Sequence, residues 1–412
     1  MTKTNNKTIL YILTHFPVST ETFILNELRQ VKKQNLNYYL MAFHLNKSLL
    51  VQKPYSEIEA IEIPRPFSPE IFKAFLWANI KNRSLVREML TQKYCKKIHH
   101  FFQSLYLAKW AEEHNIKHIH AHYAYHSTEA ARVISKLTGI SYSFTAHAND
   151  IFKSPWQMEQ KIKDATFCAT CTGYNAKYLK ENYLTSSNTS DNNKIFKVYH
   201  GIDLKLFKPL PRPNITDDKK VKLISVARLR EKKGFIYLID AIQILKDRGI
   251  PINLTIIGEG PERQRLEKRI ETLGLKNNIQ LIGAVSHQEV RDYLQDSDIF
   301  VLPCIIASDN SRDGIPNVIL EAMAMELPVI STWVSAIPEA VEHEKTGLLV
   351  HPKDPEGIAN AVIQLYKTPK KRVLYGKAGR KKVKVEFDLT KNTQILVNLF
   401  EEVINNKKNV IS

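Results

Sequence analysis

Two cations stand close together in the second half of the sequence, where a strand-like run ends. Arg228 and Lys233 follow the apolar run 222–226 and precede a segment with helical spacing. Arginine forks onto phosphate oxygens and lysine adds a point charge, so this pair suits a diphosphate. A solvated basic loop explains the same spacing equally well, and the pair alone leaves both interpretations open.

Two acidic residues eight positions apart, Asp313 and Glu321, flank a predicted helix start. Pro316 suits the first helical turn, where its missing N–H costs nothing, and Gly314 lets the backbone approach a ligand closely. The free N–H groups of such a helix start favour an anion or sugar hydroxyls. Glu321 lies among apolar residues, so its carboxylate needs donors such as the two hydroxyls of a ribose. A solvent-facing Glu321 is the alternative, but residues 322–324 leave little room for a polar face.

Histidines and cysteines in the first half raise the question of a metal site. Four histidines alternate as on one face of a strand and its exit: His118, His120, His122 and His126. They could bind a metal, but a strand that leads into a substrate site explains them as well. Cys168 and Cys171 form a lone C-x-x-C, which is a weak metal or redox signal without a second pair. We interpret 166–171 as a buried strand and expect no metal site.

Strand-like apolar runs alternate with amphipathic helical patterns along the whole chain. The predicted strands are residues 9–13, 38–43, 119–121, 142–145, 166–171 and 195–198 in the first half and 222–226, 253–257, 279–282, 299–302 and 328–331 in the second. This alternation predicts an α/β protein with parallel sheets built from βαβ units. Ligands of doubly wound sheets bind outside the carboxyl ends of the strands, which is where both polar clusters fall.

A chain of 412 residues is too long for one ordinary core, so we expect two domains. The proline-rich run 207–213 can continue neither a helix nor a central strand and marks a linker. The predicted parts are an acceptor-binding Rossmann-like domain at 1–205, a linker at 206–220, a donor-binding Rossmann-like domain at 221–385 and a helical segment at 386–412.

Composition and charge narrow the class of protein. The apolar fraction of 43% and charged fraction of 25% are ordinary for a soluble globular protein. No apolar run is long enough to span a membrane, and the run 8–13 is too short for a signal-peptide core, so we expect a cytoplasmic protein. The net charge is +17, of which +11 falls in residues 1–200. This excess favours an anionic partner, although a solvated surface is the plainer interpretation.

The segment 71–110 interleaves aromatic and basic side chains. They are Phe72, Phe75, Leu76 and Trp77, then Lys81, Arg83, Arg87, Lys93, Lys96 and Lys97, then Phe101, Phe102, Tyr106 and Trp110. Basic and aromatic helices can lie on an anionic membrane surface. The alternative is that the aromatic residues belong to the core and the basic residues are simply solvated.

Several motifs resemble those of the family 4 retaining glycosyltransferases, which have the GT-B fold. Asp313 and Glu321 are spaced as the two acids of the family's E-x7-E motif, although Asp313 stands where Glu is usual and Ala336 where Gly is common. The other matching segments are 200–203 with Phe207, 228–234, 257–261, 321–324, 337–339 and 346–350. Segments 16–23, 120–122 and 144–151 resemble the subgroup that builds bacterial exopolysaccharides and lipopolysaccharides, of the colanic acid and amylovoran type. The resemblance covers nearly the whole chain and is densest at 199–351.

The resemblance implies two Rossmann-like domains with a cleft between them and a set of site residues. A nucleotide-sugar donor, expected to be UDP-linked, would be bound by Arg228, Lys233, Gly314, Ile315, Asn317, Val318 and Glu321. The catalytic residues would be Asp313, His147 and Glu321, and the acceptor-side residues Ser19, Glu21, His122 and Asp150. The two cations and the helix-start amides would stabilise the departing diphosphate, so we expect no metal or other cofactor. The acceptor would be a glycan or a lipid-linked glycan. A lipid-linked acceptor favours the membrane interpretation of 71–110, so we expect peripheral contact with an anionic membrane surface at the inner face of the cell membrane.

Two other functions remain open at this point. One is a nucleotide-sugar epimerase or hydrolase on the same fold, and the other is a catalytically silent homologue that binds a carbohydrate or a partner. Asp313 in place of the usual Glu is the reason to consider a catalytically silent homologue. Gly258 and Gly260 are two-thirds of a dinucleotide fingerprint, but no third glycine follows. Nucleic-acid binding rests on charge alone, since no recognised module is present, and we expect none.

Overall fold

The computed structural model describes residues 8–19, 21–184, 193–211 and 220–406. The chain divides into two compact units. The first comprises Met1–His200 with Leu389–Ser412, and the second comprises Gly201–Asp388. The last helix therefore returns to the first unit, a placement that the sequence did not reveal. Residues 212–219 of the predicted linker lie outside the described residues.

The first unit is built on a parallel sheet of seven strands in the order β3-β2-β1-β4-β5-β6-β7. The strands are β1 (Thr8–Phe16), β2 (Asn37–Leu45), β3 (Ile61–Glu62), β4 (His118–His122), β5 (Ser141–Ala146), β6 (Phe167–Thr170) and β7 (Ile195–Lys197). The helices are α1 (Thr22–Lys33), α2 (Lys47–Leu50), α3 (Pro69–Thr91), α4 (Ile98–Glu113), α5 (His126–Thr138), α6 (Ala148–Phe152), α7 (Met158–Asp164) and α8 (Gly173–Tyr183).

Helices cover both faces of this sheet, and β1 shows why the sequence requires it. Its apolar run is nearly continuous, as expected of a strand that is buried on both sides. Ile9 and Tyr11 belong to one core cluster with α1, whereas Leu10 and Ile12 belong to the other with α4 and α5. Alternate side chains of a strand point to opposite faces, so this run can be buried only between two helical layers.

The second unit has a parallel sheet of six strands in the order β10-β9-β8-β11-β12-β13. The strands are β8 (Val221–Val226), β9 (Ile252–Ile257), β10 (Ile279–Gly283), β11 (Ile299–Val301), β12 (Val329–Thr332) and β13 (Gly347–Val350). The helices are α9 (Phe235–Asp247), α10 (Arg263–Thr272), α11 (His287–Gln295), α12 (Asn317–Ala324), α13 (Ile337–Ala340), α14 (Pro355–Lys367) and α15 (Pro369–Glu386). The final helix α16 (Leu389–Asn406) packs in the first unit with α1.

Both sheets are doubly wound, and in each the strand order reverses beside the first strand. In the first unit the reversal lies between β1 and β4, and in the second it lies between β8 and β11. Ligands of open parallel sheets bind at the carboxyl ends of the strands beside such a reversal. The loops after β8 and β11 carry Arg228 and Asp313, so these two predicted site residues lie where such a sheet binds its ligand.

Helix α3 is long but bent. Asn82 has extended backbone angles (φ −162°, ψ 86°) inside it, and the Asn82 Oδ1 atom accepts a hydrogen bond of 2.9 Å from the Leu85 N–H. The asparagine therefore caps a new helical segment, which explains the bend. Within the described ranges, no helix combines the length and the apolarity needed to cross a membrane.

Candidate functional site

The loop after β8 is drawn tightly against the segment that follows β11. Gly234 has φ +70°, and a Cβ atom on it would lie 1.9 Å from the Pro303 carbonyl oxygen, so only glycine allows this approach. The Ile305 N–H donates to the Lys232 carbonyl at 2.9 Å. The Ser308 hydroxyl donates to Glu231 Oε2 at 2.8 Å. These contacts fix the two loops at the strand-order reversal.

Asp313 is held between two lysines of the β8 loop. The Lys233 Nζ atom lies 2.8 Å from Asp313 Oδ2, and the Lys232 Nζ atom lies 3.0 Å from Asp313 Oδ1. Burial alone would raise the pKa of Asp313, but the charges of Lys233 and Lys232 outweigh it and lower the pKa to about 2. Burial likewise opposes the charge of Lys233, yet the attraction of Asp313 leaves the lysine pKa above its ordinary value. Asp313 is therefore a carboxylate throughout the neutral range.

The structure brings Lys233 and Asp313 into direct contact, which the sequence analysis did not foresee. It also adds Lys232, whose only signal in the sequence is its position beside Lys233. Arg228 is exposed just beyond the end of β8. The four side chains carry a net positive charge, as a site for a diphosphate requires.

Glu321 is a buried carboxylate without a partner. Only 8% of the residue is exposed, and in the described part of the chain its side chain makes no hydrogen bond or ion pair. Burial raises the pKa of Glu321 to about 7, and the charge of Arg291 reduces this shift. A buried carboxylate in this state gains stability from a ligand that donates hydrogen bonds.

The start of α12 differs in one detail from the sequence expectation. Pro316 is the residue before the helix, with extended angles (φ −60°, ψ 124°), and the first helical residue is Asn317. The expectation that Pro316 occupies the first turn is therefore wrong by one position. Gly314, Ile315, Asn317 and Val318 surround this helix start and are all partly buried. Their predicted donor contacts remain predictions.

In the first unit, Asp150 holds the backbone that presents His147. His147 follows β5, and its N–H donates to Asp150 Oδ1 at 2.7 Å, while the Ala124 N–H donates to Asp150 Oδ2. Asp150 is fully buried, and burial raises its pKa to about 7 against the opposing effect of these N–H groups. The structure thus gives Asp150 a positioning task, and its predicted contact with an acceptor stays a prediction.

A short polar chain leads from α1 to His147. The Tyr11 hydroxyl donates to Glu27 Oε1 at 3.1 Å, and His122 Nε2 lies 3.0 Å from the same oxygen. His122 Nδ1 in turn lies 3.5 Å from His147 Nε2. Glu27 was not predicted, although a signal was present: it shares helical spacing with Ile24, Leu28 and Val31, which places its carboxylate on the apolar face of α1.

Ser19 and Glu21 follow β1, beside the strand-order reversal of the first unit. Ser19 is exposed, and Glu21 is partly buried. Burial raises the pKa of Tyr123, and the charge of Glu21 raises it further. The rings of Tyr123 and His147 have centroids 4.3 Å apart. The predicted acceptor-side residues thus lie at or just beyond the carboxyl ends of β1, β4 and β5.

The alternating histidines of β4 form a hydrogen-bonded ladder with hydroxyls of β5. Both ring nitrogens of His120 lie within hydrogen-bonding distance of hydroxyls, Ser143 Oγ at 2.8 Å and Thr145 Oγ1 at 3.0 Å. His118 is held in the same way by Ser141 Oγ and Ser143 Oγ. His126 lies beyond the strand, 3.2 Å from Glu129 Oε2. The alternation is therefore explained by side-chain hydrogen bonds along the sheet.

Sequence comparison finds a family match in the second unit. Residues 208–382 match the family described as "Glycosyl transferases group 1". The putative colanic acid biosynthesis glycosyltransferase WcaL of Escherichia coli (strain K12) is 40% identical over 159 residues, 39% of this chain and 39% of that protein. The amylovoran biosynthesis glycosyltransferase AmsK of Erwinia amylovora is 37% identical over 186 residues, 45% of this chain and 44% of that protein. The similarity thus spans about two fifths of each relative's length.

Structural comparison extends over both units. Anabaena Alr3699/HepE, solved in complex with UDP and glucose, superposes with a TM-score of 0.68 at 17% identity, covering 95% of this chain and 99% of that chain. At this identity the likeness concerns the fold, and it confirms the expected GT-B class with two parallel-sheet, Rossmann-like units. Together with the sequence match, it shows that residues 208–382 form a glycosyl transferases group 1 domain within a GT-B fold.

Proposed function

We propose that the protein is a retaining glycosyltransferase of bacterial surface polysaccharide biosynthesis. It moves a sugar from a nucleotide-sugar donor, UDP-linked, to a glycan or lipid-linked acceptor. The observation that carries the proposal is the cationic cluster at the strand-order reversal of the second unit, which lies in the same domain as a buried, unpartnered Glu321. The names of WcaL and AmsK support the pathway class, and the UDP and glucose of the HepE complex support the donor class.

The donor would be divided among three groups of residues. Arg228 and Lys233 bind the diphosphate, and Glu321 accepts hydrogen bonds from the ribose hydroxyls. Asp313 and the backbone from Gly314 to Val318 contact the transferred sugar. The unpartnered carboxylate of Glu321 supports the second assignment, since a diol supplies the two donors that the protein does not.

The ion pairs of Asp313 give this site a defined state before the donor arrives. A diphosphate that reaches Lys233 competes with the carboxylate for the ammonium group, while Lys232 remains on the other carboxylate oxygen. One oxygen of Asp313 then becomes available to accept a hydrogen bond from a sugar hydroxyl. As the bond to the sugar breaks, charge develops on the diphosphate, where the cations and helix-start amides stabilise it. An acceptor hydroxyl attacks from the same face and gives its proton to the departing diphosphate, so the configuration is retained.

The proposed transfer uses protein cations where other transferases use a metal. Activity should therefore survive treatment with EDTA, measured as sugar transfer or as slow donor hydrolysis. A complete loss that added divalent metal restores would contradict this expectation and would assign a metal to the reaction.

We also propose peripheral association with an anionic membrane surface at the inner face of the cell membrane. Apolar side chains follow one stripe of α3 at helical spacing: Phe72 is 61% exposed, Leu76 46% and Ile80 87%. Exposed bases flank the stripe at Lys73 and Arg83. Such a helix can insert its apolar stripe among lipid chains while its bases contact anionic head groups.

The remaining aromatic residues of the segment 71–110 belong to the core instead. Phe101 is buried, and the others pack against the same core cluster: Phe75, Trp77, Phe102, Tyr106 and Trp110. The two interpretations offered by the sequence therefore apply to different side chains. The membrane proposal now rests on the exposed stripe and on the exposed bases alone.

A panel of nucleotide sugars tested by thermal shift would examine the function. A ligand that binds only the folded state raises the melting temperature, so the true donor should stand out among UDP, GDP and dTDP sugars. Product analysis then separates the alternatives. A transferase gives slow hydrolysis and, with acceptor, a glycoside; an epimerase gives an isomer; and a silent homologue gives no turnover.

A further inference from the structure

Three side chains with nitrogen and sulfur ligand atoms meet at one edge of the first sheet. His147 follows β5, Cys171 follows β6, and His200 follows β7. These are neighbouring parallel strands, so their carboxyl ends lie side by side. Each residue offers a ligand atom, and the three atoms lie within 4.8 Å of one another. The predicted strand 166–171 ends one residue early, at Thr170, and Cys171 stands just beyond it.

We propose that His147, Cys171 and His200 form a binding site for a divalent transition metal of the zinc type, and that the bound metal inhibits sugar transfer. Two imidazoles and a thiolate are ligands that zinc prefers, whereas magnesium and calcium prefer oxygen. With these bond lengths, ligand atoms on one tetrahedral zinc lie about 3.4–3.6 Å apart. Side-chain rotations that move the ligand atoms by about 1 Å therefore bring all three to bonding distance of one ion. A fourth coordination position stays open for water.

Binding has a simple proton balance. The Cys171 thiol loses its proton to solvent as the sulfur–metal bond forms, and the two histidines bind through neutral ring nitrogens. Nothing is oxidised or reduced. The affinity should therefore increase with pH, as it does for other thiolate sites.

A second group of possible ligands shows what distinguishes this site. Glu27, His120 and His122 also lie close together, but both nitrogens of His120 contact hydroxyls, and Glu27 already receives Tyr11 and His122. By contrast, the ring of His200 has no hydrogen-bond partner within the described ranges. Cys171 and His200 are partly buried rather than fully buried, so an ion can reach them.

Further contacts orient two of the proposed ligands. His122, itself held by Glu27, lies 3.5 Å from His147 Nε2. The Asn175 side-chain N–H donates to Cys171 Sγ at 3.8 Å, and the Asn175 backbone N–H is anchored on Thr172 Oγ1 at 3.0 Å. Partners of this kind fix ring and thiolate orientation in metal sites, and their presence lowers the cost of ordering the ligands.

Inhibition follows if His147 is a catalytic residue, as the family resemblance implies, and this part of the inference rests on the proposed function. A metal that binds the His147 ring occupies a ring nitrogen and adds positive charge there, so the ring is no longer free to take part in the reaction. Metal-free protein would then be the active form. EDTA would maintain or raise activity, in agreement with the expectation stated above.

Cobalt binding tests the site without any need for activity. The full chain, treated with EDTA and dialysed, is titrated with Co²⁺, and absorption bands of thiolate-to-cobalt charge transfer are recorded. Wild type should bind one ion per chain and show the bands. Cys171→Ser should lose them and bind at least about 10–100-fold more weakly, because loss of a mere orienting partner already has an effect of this size. Cys168→Ser is the matched control, because Cys168 lies inside β6 and is fully buried, and it should behave as wild type.

The outcomes separate the site from its effect. Absence of the bands in wild type, or bands that persist in Cys171→Ser, would overturn the site. If Cys171→Ser fails to fold, as judged by circular dichroism, His200→Gln replaces it and should also bind Co²⁺ more weakly.

Zinc inhibition is measured as the ratio of turnover with and without Zn²⁺. This ratio should be about 0.1 or lower in wild type and in Cys168→Ser, and about 1 in Cys171→Ser. Cobalt binding with no change in this ratio would overturn inhibition alone. A lack of turnover in metal-free wild type would overturn the proposed function and leave the cobalt result intact.

Discussion

Opposite charges hold Lys233 and Asp313 together in a largely buried pair. The pKa of Asp313 is lowered to about 2, so its contribution to stability is present above its unfolded pKa and is lost as the pH falls through about 2. The pKa of Lys233 is raised, so its contribution is present below the ordinary lysine value and is lost only above the raised one. The pair is therefore intact over the whole range in which the enzyme would work. A diphosphate must therefore displace Asp313 from Lys233 by its own charge, because neither side chain becomes neutral in this pH range.

Removing either predicted diphosphate ligand should weaken donor binding. Arg228→Ala and Lys233→Ala each delete a charge-assisted contact, which is worth about 1.5–3 kcal/mol. The expected loss of nucleotide affinity, measured by titration calorimetry, is therefore roughly 10–150-fold. Arg230→Ala is the matched control, since Arg230 is an exposed cation of the same loop without an assigned role. Unchanged affinity in both test variants would remove the diphosphate assignment.

Glu321 should make donor binding dependent on pH near neutrality. The pKa of the free carboxyl group is raised to about 7, and only its ionised form accepts two hydrogen bonds from a diol. Affinity for the UDP-sugar selected by thermal shift should therefore fall about tenfold between pH 8 and pH 6. The diphosphate of a nucleotide sugar has no free monoester group that titrates near pH 6, which isolates the effect of Glu321. Glu321→Gln should bind more weakly and show a flat profile; a profile as steep as that of wild type would contradict the ribose assignment.

The ends of β8 and β9 are joined by backbone contacts that only glycine permits. Gly258 has φ +143°, and a Cβ atom on it would lie 1.9 Å from the Ala227 carbonyl oxygen. The Leu229 N–H donates to the Glu259 carbonyl at 2.9 Å. The position of Arg228 therefore depends on the glycine loop after β9. This is a structural reason for the Gly-Glu-Gly sequence that owes nothing to dinucleotide binding.

Gly258→Ala should destabilise the protein and weaken donor binding together. The added methyl group must displace backbone, which costs at least about 2 kcal/mol of unfolding free energy. Gly249→Ala is the control, because Gly249 has φ +70° but nothing within 4 Å of the added Cβ, so only the smaller cost of a left-handed residue remains. Chemical denaturation compares the two. Equal losses would mean that the backbone angle, and not the close approach, sets the cost.

The elements were largely predictable because parallel strands are continuous apolar runs and their helices are amphipathic. The predicted strands agree with the observed ones to within three residues at each end. The sequence did not predict β3, which is an edge strand of two exposed residues, Ile61 and Glu62, and thus has no apolar run. Nor did it predict β13, whose residues were noted only as a motif. Low burial explains why β3 has no hydrophobic pattern to specify it. β13, by contrast, is buried at Gly347, Leu348 and Leu349, so its apolar run did carry a strand signal.

The site was predictable only where a motif carried it. Arg228, Lys233, Asp313 and Glu321 were all predictable from sequence motifs. Lys232 and Glu27 were not, because their roles arise from contacts between segments far apart in the chain: Lys232 with Asp313, and Glu27 with His122. Charge and spacing within one segment do not predict contacts with a distant segment. For the same reason, the sequence did not predict that His147, Cys171 and His200 lie close together.

Positive charge and exposed apolar surface coincide in the first unit. Residues 1–200 carry +11 of the net charge of +17. The stripe Phe72, Leu76 and Ile80 is exposed on α3, and Phe67, just before the helix, is 91% exposed. Single exposed apolar residues need no explanation, but a helical stripe of them does. The final helix α16 returns to this unit, so its core includes both ends of the described chain.

Association with anionic vesicles should depend on both parts of this surface. Each base near an anionic surface contributes on the order of 1 kcal/mol, and the apolar stripe adds burial among lipid chains. Binding in liposome co-sedimentation should therefore require anionic lipid and fall with salt, because exposed charges are screened. Replacing Lys93, Lys96 and Lys97 by Glu should release the protein, and replacing Phe72 and Ile80 by Ser should weaken binding at every salt concentration. Neither change should alter nucleotide affinity, which belongs to the second unit.

The matched control changes the net charge by the same amount elsewhere. Lys370, Lys377 and Lys381 belong to α15 of the second unit, and all three are exposed, as are Lys93, Lys96 and Lys97. Their replacement by Glu should leave vesicle binding within about twofold of wild type, if the bases of the first unit act through their location. Equal release by both triple variants would show that net charge alone attracts the protein to the vesicles. Failure of wild type to bind anionic vesicles at low salt would assign the acceptor to solution or to a partner, and the stripe on α3 would then need another occupant.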